Sequence, residues 1–252
     1  MKGFAAFLKK EIREMIRTRK LMILLLVFLA FGILNPLTAL LMPKLLQSAE
    51  IPGMTVGEIT VTALDAWTQF AKNMPTAMIV FLISVSGIYT AEYTKGTLIP
   101  LLTKGLSRSA AVLAKCTVML AAWSAGFWLS FLVTWFYSGW YWDNSAVREI
   151  LFAAFCRWLF GVLMIACTVF FSSFAASAAQ VILGTGSVYI AMTLIGMYDK
   201  ANSYLPVHLC DSLPLYTGAA QPSGYAAAAA VTALLSAVQI LAALPLTNRR
   251  QL

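Results

Sequence analysis

Long apolar runs alternate with polar segments along the whole chain. Each run is about 20 residues long, which is the length an α-helix needs to cross the hydrocarbon core of a bilayer. The pattern predicts an all-α integral membrane protein whose 252 residues form one transmembrane domain of six spans. The predicted spans are residues 21–42, 73–91, 116–137, 149–171, 179–198 and 225–246.

Two longer segments separate spans on one side of the predicted membrane domain. Residues 43–67 and residues 199–224 are rich in turn-forming Pro and Gly. Within the second segment, residues 213–216 are apolar enough to return into the membrane. Non-helical backbone does so only where protein or water shelters it. The sequence leaves open whether this segment is re-entrant.

The chain begins with an amphipathic pattern over residues 3–20. Apolar residues recur at helical spacing on one face, and Lys and Arg occupy the other. Such a helix lies in the membrane interface on the side with anionic lipid, which makes membrane lipids an expected partner. The alternative is an ordinary basic flank of the first span. The apolar face includes Phe4, Phe7, Leu8 and Ile12, and the basic face includes Lys9 and Arg13.

Composition and charge support the membrane assignment. Hydrophobic residues make up 60% of the chain and charged residues 11%, against about 25% charged in a soluble domain. The net charge of +8 does not indicate nucleic-acid binding, because the basic residues flank the predicted spans and form no separate stripe. Most of them lie near the two termini and between spans two and three. This asymmetry predicts a multi-pass protein with both termini in the cytosol, and we expect the bacterial plasma membrane.

The polar segment between spans two and three, residues 92–115, carries a helical pattern of its own. Apolar residues recur there at i, i+3 and i+4, so they share one face. The pattern predicts a short amphipathic helix over residues 96–103, with Gly105 placed to end it. Its apolar face comprises Leu98, Leu101 and Leu102.

The order of residues in this loop resembles the permease subunits of ABC-2 type exporters. In that family the loop typically has a Glu, then Gly-Thr-Leu, a Leu pair and a Ser-Arg. The layout of an amphipathic N-terminal helix, six spans and a Pro-rich segment before the last span is similar as well. One departure is Lys104-Gly105-Leu106, where many members have a proline. The matching residues are Glu92, Gly96, Thr97, Leu98, Leu101, Leu102, Ser107 and Arg108.

The resemblance implies a mechanism and a set of partners. The N-terminal helix would be an elbow helix, and residues 96–103 would be a coupling helix that docks into a groove on an ATPase. Two permeases, identical or paralogous, would work with two ATPase subunits. ATP and Mg would bind the ATPases, with no cofactor on this chain, and transport would run out of the cytosol.

The residues themselves support a separate motor. No G-x-x-x-x-G-K-[ST] motif occurs in the chain, so it lacks a phosphate-binding loop of that type. We therefore expect a transport subunit without enzymatic activity. The leucines of the predicted coupling helix can fill an apolar groove, with Glu92 and Arg108 at its rim. The alternative is that this helix lies on lipid.

Ionisable residues are scarce within the predicted spans. Arg157 lies inside span four, and Glu149 lies two helical turns before it at the edge of that span. A charge at membrane depth usually faces the bundle or a water-filled cavity. Arg157 is therefore either a packing or gating residue or a structural anchor, in a network that can include Glu149. The spans pair no base with an acid or a serine, and His208 is the single histidine, so we expect neither a catalytic nor a metal site.

The pattern of charges also bears on the substrate. Spans that are mostly apolar suit a lipidic, amphipathic or peptidic substrate better than a small ion. The competing hypothesis is a membrane module that transports nothing and anchors or regulates a partner, such as an immunity component. A passive channel is a weaker alternative, because the spans show no repeated polar rings.

Overall fold

The computed structural model describes residues 2–48, 60–94, 100, 103 and 105–249, and in these ranges the regular elements are helical, with no strand. Short 3₁₀ turns occupy Asn144–Ala146, Pro206–Cys210 and Pro222–Tyr225. The helices are α1 (Lys2–Arg17), α2 (Lys20–Ser48), α3 (Ala63–Thr94), α4 (Arg108–Tyr141), α5 (Ile150–Ser172), α6 (Ala178–Gly196), α7 (Asp199–Asn202), α8 (Leu213–Thr217) and α9 (Ala226–Arg249).

Six helices of the described part are long and apolar enough to cross a membrane, namely α2, α3, α4, α5, α6 and α9. This confirms the predicted all-α, six-span fold. Helix α3 begins at Ala63, well before the predicted start of span two at residue 73. Its extra turns are helical because Trp67 and Phe70 pack into the core, where both are fully buried.

The core of the bundle lies between α2, α3, α4 and α5. Phe28, Phe81 and Trp123 pack edge to face there, with ring centroids 5.5 to 6.5 Å apart. The Trp123 ring lies directly against Gly161 of α5, where a Cβ atom would come within 2.3 Å of the ring. The glycine therefore permits the close approach of α4 and α5.

A buried polar network joins the first three spans. Asn35 of α2 donates a hydrogen bond to the Thr134 hydroxyl at 3.0 Å and accepts one from the Asn73 amide at 2.8 Å. The Thr134 hydroxyl donates in turn to the Gly32 carbonyl at 3.1 Å. These bonds tie α2 to both α3 and α4, because each buried polar group has a partner on a neighbouring helix.

The segment between α6 and α9, residues 197–225, folds over one end of the bundle. Leu209, Leu215 and Tyr216 are buried against neighbouring helices, including α3 and α5. The Tyr225 hydroxyl donates to the Asp211 carbonyl at 2.8 Å and closes the segment on itself. The segment is thus a packed part of the fold rather than a solvated loop.

Helix α1 is the amphipathic helix predicted from the sequence, and it has three faces rather than two. One strip is buried against α4 and α2, a second is apolar and largely exposed, and a third is basic. Residues four apart share a strip because an α-helix has 3.6 residues per turn. The strips are Phe7, Glu11 and Met15, then Leu8, Ile12 and Ile16, then Lys9, Arg13 and Arg17.

Candidate functional site

Buried ion pairs join α1 to both ends of the loop at residues 92–115. The Lys115 ammonium group lies 2.9 Å from Oε2 of Glu11 and 3.0 Å from Oε2 of Glu92. Lys10 lies 2.6 Å from Oε1 of Glu92 and 2.9 Å from Oε1 of Glu11. We call Lys10, Glu11, Glu14, Glu92 and Lys115 the charge cluster. It connects the last turns of α3, the first turns of α4 and the middle of α1.

The local sequence explains why α1 directs an acid into the protein. Glu11 stands at i+4 from Phe7 and i−4 from Met15, so it shares their buried strip. The Phe7 ring lies beneath the cluster, with the Lys10 and Lys115 nitrogens 5.1 and 5.6 Å from its centroid. Such cation–π contacts attract both ammonium groups to the face of the ring.

Burial makes the pairing strong. Lys115 is 3% exposed and Glu11 is 5% exposed, and an isolated buried charge is costly unless it is paired. Burial by itself would lower the pKa of Lys10, but its hydrogen bonds to Glu92, Glu11 and Glu14 outweigh that effect, so the pKa of Lys10 is raised. The hydrogen bond from Lys10 lowers the pKa of Glu14 below its usual value of 4.5.

The three carboxylates of the cluster approach one another closely enough to suggest a cation site. Oxygen atoms of Glu11, Glu14 and Glu92 lie within 4.8 Å of one another. The ammonium groups of Lys10 and Lys115 stand at hydrogen-bonding distance from these carboxylates. The lysines therefore supply the positive charge that the carboxylates need.

The Ser-Arg pair of the loop has two local structural roles. Ser107 is the N-cap of α4, and its hydroxyl accepts a hydrogen bond from the Ala110 amide at 3.2 Å. Arg108 donates to the Thr247 and Asn248 carbonyls, each at 3.4 Å, at the C-terminal end of α9. A cation there satisfies open carbonyl groups and opposes the helix dipole. The loop is thereby tied to the last span as well as to α1.

Most of the predicted coupling helix lies outside the described residues. This applies to Gly96, Thr97, Leu98, Leu101 and Leu102, so the structure adds nothing on its apolar face. The two described positions within it, at 100 and 103, are helical, and the Thr103 hydroxyl donates to the Pro100 carbonyl at 3.0 Å. Gly105 has φ +90°, a conformation that ends helices and that glycine adopts without strain.

The structure separates the two predicted intramembrane charges. Glu149 is exposed at the N-cap of α5 with φ 49°, and its side chain makes no capping hydrogen bond. Arg157 is 6% exposed and donates to the Cys210 carbonyl and, at 3.1 Å, to the Ser212 hydroxyl. Among the described residues Arg157 forms no ion pair with Glu149. The partner of Arg157 is instead the folded segment 197–225.

The predicted interfacial residues divide between the faces of α1. Phe7 is buried, and Phe4 and Leu8 are half-buried beside it against Ala111 and Ala114 of α4. Ile12 is 46% exposed, and Lys9 and Arg13 are exposed on the next strip. Part of the stripe expected to lie on lipid thus packs on protein. The exposed apolar strip still adjoins the basic strip, as an interfacial helix requires.

Sequence reasoning missed three members of the charge cluster, Lys10, Glu11 and Glu14, and placed Glu92 at an exposed rim. A signal for Glu11 was present, because it is an acid inside the apolar stripe of an otherwise basic helix. Lys115 is the last residue of the polar segment 92–115, but its buried position was not foreseen. No local pattern shows that it faces an acid 104 positions away.

Comparison with known proteins agrees with this architecture. A family model described as an ABC-2 family transporter protein matches residues 5–203, which include most of α1, the charge cluster and the first five spans. The chain belongs to the ABC-2 transporter family. No curated protein and no solved structure matches it. As a member of this family the chain is a multi-pass membrane protein and a permease subunit of an ABC exporter, whose role is transport.

Proposed function

We propose that this permease couples a separate ATPase to export through the charge cluster. Two ATPase subunits dock on the segment 96–103 of two permeases, which are identical or paralogous and lie in a bacterial plasma membrane. Both termini are cytosolic, and ATP and Mg bind the ATPases alone. Closure of the ATPase dimer then moves the loop, and its anchored ends pass that movement to the spans.

The main support for this proposal is that ion pairs and hydrogen bonds hold both ends of the loop in place. Glu92 and Lys115 hold its two flanks to each other and to α1 through Glu11. Arg108 holds the start of α4 to the end of α9. A pull on the segment between them therefore reaches α1, α3, α4 and α9 together. Coupling of this kind needs contiguous contacts of packed or paired side chains, and these are present.

The substrate class follows from the spanning surface. Described residues of the spans are overwhelmingly apolar, and Arg157 is the buried charged side chain among them that lies outside the charge cluster. A small hydrophilic ion would need a polar path. We therefore propose a lipidic, amphipathic or peptidic substrate, moved out of the cytosol.

Co-purification tests the motor partner. The tagged chain is extracted from native membranes in mild detergent, beside a variant carrying Leu98→Asp and Leu102→Asp. We expect an ATPase with the wild type and its loss from the variant, since buried carboxylates disrupt an apolar contact. The control is Thr103→Asp, which adds one carboxylate at an exposed position of the same segment.

A different result would favour the competing hypothesis. Recovery of the chain alone, or with a partner that is not an ATPase, would indicate an anchoring or regulatory module. Retention of the ATPase by the Leu98→Asp, Leu102→Asp variant would place the docking surface elsewhere. Loss of the ATPase from the Thr103→Asp control would show that added charge alone disturbs the segment.

A further inference from the structure

A cleft opens between α3, α5 and α6, and its lining is almost wholly apolar. Its volume is about 150 Å³. Ile79 and Ile83 on its margin are each 55% exposed, so the cleft opens to the outer surface of the bundle. On a spanning helix that surface meets hydrocarbon. The apolar lining includes Met78, Leu82, Phe160, Met164, Val181 and Tyr189.

Arg157 stands at one end of this cleft. It lies seven positions after Ile150, the first residue of α5, or about 10 Å along the helix axis. Its Nη2 atom bonds to Cys210 and Ser212, but its buried Nε has no hydrogen-bond partner. No carboxylate of the described chain forms an ion pair with it. A guanidinium at this depth is costly without a counter-charge.

Two other polar side chains of the cleft already have hydrogen-bond partners. The Thr168 hydroxyl donates to the Met164 carbonyl at 2.9 Å, and the Ser86 hydroxyl donates to the Ile83 carbonyl at 2.9 Å. They leave Arg157 as the one lining residue of the described chain that has a buried polar atom without a partner. The cleft therefore combines a single cationic donor with a long apolar wall.

We propose that this cleft binds a single-chain amphiphile with an anionic head group. The head group accepts a hydrogen bond from Nε of Arg157, and the chain lies between α3 and α6. From Arg157 to Thr168 the cleft follows α5 for about 16 Å, which accommodates an extended alkyl chain.

This assignment names a substrate class for the proposed export function, and it rests on that function for its role in transport. Binding itself requires neither ATP nor a partner. It is therefore measured on the purified full-length chain in nanodiscs of phosphatidylcholine. The probe is a palmitate analogue with a photoreactive diazirine in its chain, and the cross-linked peptides are identified by mass spectrometry.

We expect labelling of α3, α5 and α6 along the cleft, and competition by unlabelled palmitate. A diazirine monoacylglycerol with the same chain but a neutral head group is expected to label at least about tenfold less, because a charge-assisted hydrogen bond is lost. Arg157→Gln is expected to reduce palmitate labelling by a similar factor, whereas Arg157→Lys restores part of it. Equal labelling by the neutral probe would overturn the proposal.

A second pair of variants keeps the test valid if Arg157→Gln does not fold. A Cβ atom at Gly186 would meet no atom within 4 Å, so Gly186→Leu projects into open space at the cleft without disturbing the backbone. It is expected to block labelling. Ala191→Leu adds the same side chain at an exposed position of the same helix, away from the cleft, and is expected to leave labelling unchanged. Undiminished labelling of Gly186→Leu would contradict the proposed site.

The outcomes separate this inference from the proposed function. If the ATPase co-purifies but the probe does not label the cleft, the exporter stands and this substrate class is wrong. If the probe labels the cleft and no ATPase is found, the cleft is a lipid-binding site of a protein with another role.

Discussion

The Lys115 ammonium group lies 2.9 Å from the Glu11 carboxylate, and this contact fastens the amphipathic helix α1 to the start of α4. Both side chains are nearly inaccessible to solvent. The Lys115 ammonium group also forms an ion pair with Glu92, the first residue of the loop that resembles the family pattern. The position of α1 is therefore set by charge as well as by apolar packing.

Removal of Lys115 should destabilise the protein strongly. Lys115→Met leaves Glu11 and Glu92 buried with less compensation, and breaking a buried pair by removing one partner costs about 3–5 kcal/mol. We expect a clearly lower thermal midpoint in detergent. Lys9→Met, which removes a lysine from the exposed strip of α1, should change it little. The double variant Lys115→Met, Glu11→Gln should recover part of the loss, and no recovery would argue against a direct pairing.

Substitution of glycine by alanine should affect stability differently at Gly161, which lies against Trp123, and at Gly186, which does not. Gly161→Ala places a Cβ atom 2.3 Å from the Trp123 ring, and overpacking of this kind costs about 1–3 kcal/mol. Gly186→Ala meets no atom within 4 Å and gains helix propensity, so it should be neutral or slightly stabilising. Thermal unfolding of both variants checks this, and equal midpoints would contradict the packing described.

The polar network around Asn35 should contribute to the packing of α2. Asn35→Ala leaves the Asn73 amide without its acceptor and the Thr134 hydroxyl without a donor, at a cost of about 1–3 kcal/mol. Thr38→Ala is the control, because among the described residues the Thr38 hydroxyl bonds only to carbonyls of its own helix. Urea-induced unfolding in mixed micelles should separate the two. A similar midpoint for both variants would mean that the network adds little.

The charge cluster also predicts how the docking of α1 responds to pH. The lowered pKa of Glu14 gives stability that is complete above 4.5 and is lost as pH falls through the lowered value. The raised pKa of Lys10 gives stability that is complete below 10.5 and is lost as pH rises through the raised value. Docking should therefore stay constant between these limits.

Fluorescence anisotropy of a dye at Arg17→Cys, an exposed site on α1, measures that docking. We expect a plateau at neutral pH and greater mobility in acid. Glu14→Gln should weaken the acid transition, because the group that titrates is gone. A steady change across neutral pH would show that other groups control α1.

Several features were determined by the sequence alone. The six spans and the amphipathic character of α1 follow from the length and period of apolar runs, which are local properties of the chain. Ser107 caps α4 and Gly105 adopts positive φ for local reasons too. The loop pattern was sufficient to indicate the family, because it is short and contiguous.

The tertiary structure alone decided which charges meet. Lys115 pairs with Glu11 across 104 positions, and Arg157 meets Cys210 across 53 rather than Glu149 nearby. The helical period tells which face of a helix carries a charged residue. The partner of that residue depends on which other helix packs against the face and on how the two helices are offset along their axes. That choice is made by the whole bundle, because only close packing of all spans brings distant side chains within hydrogen-bonding range.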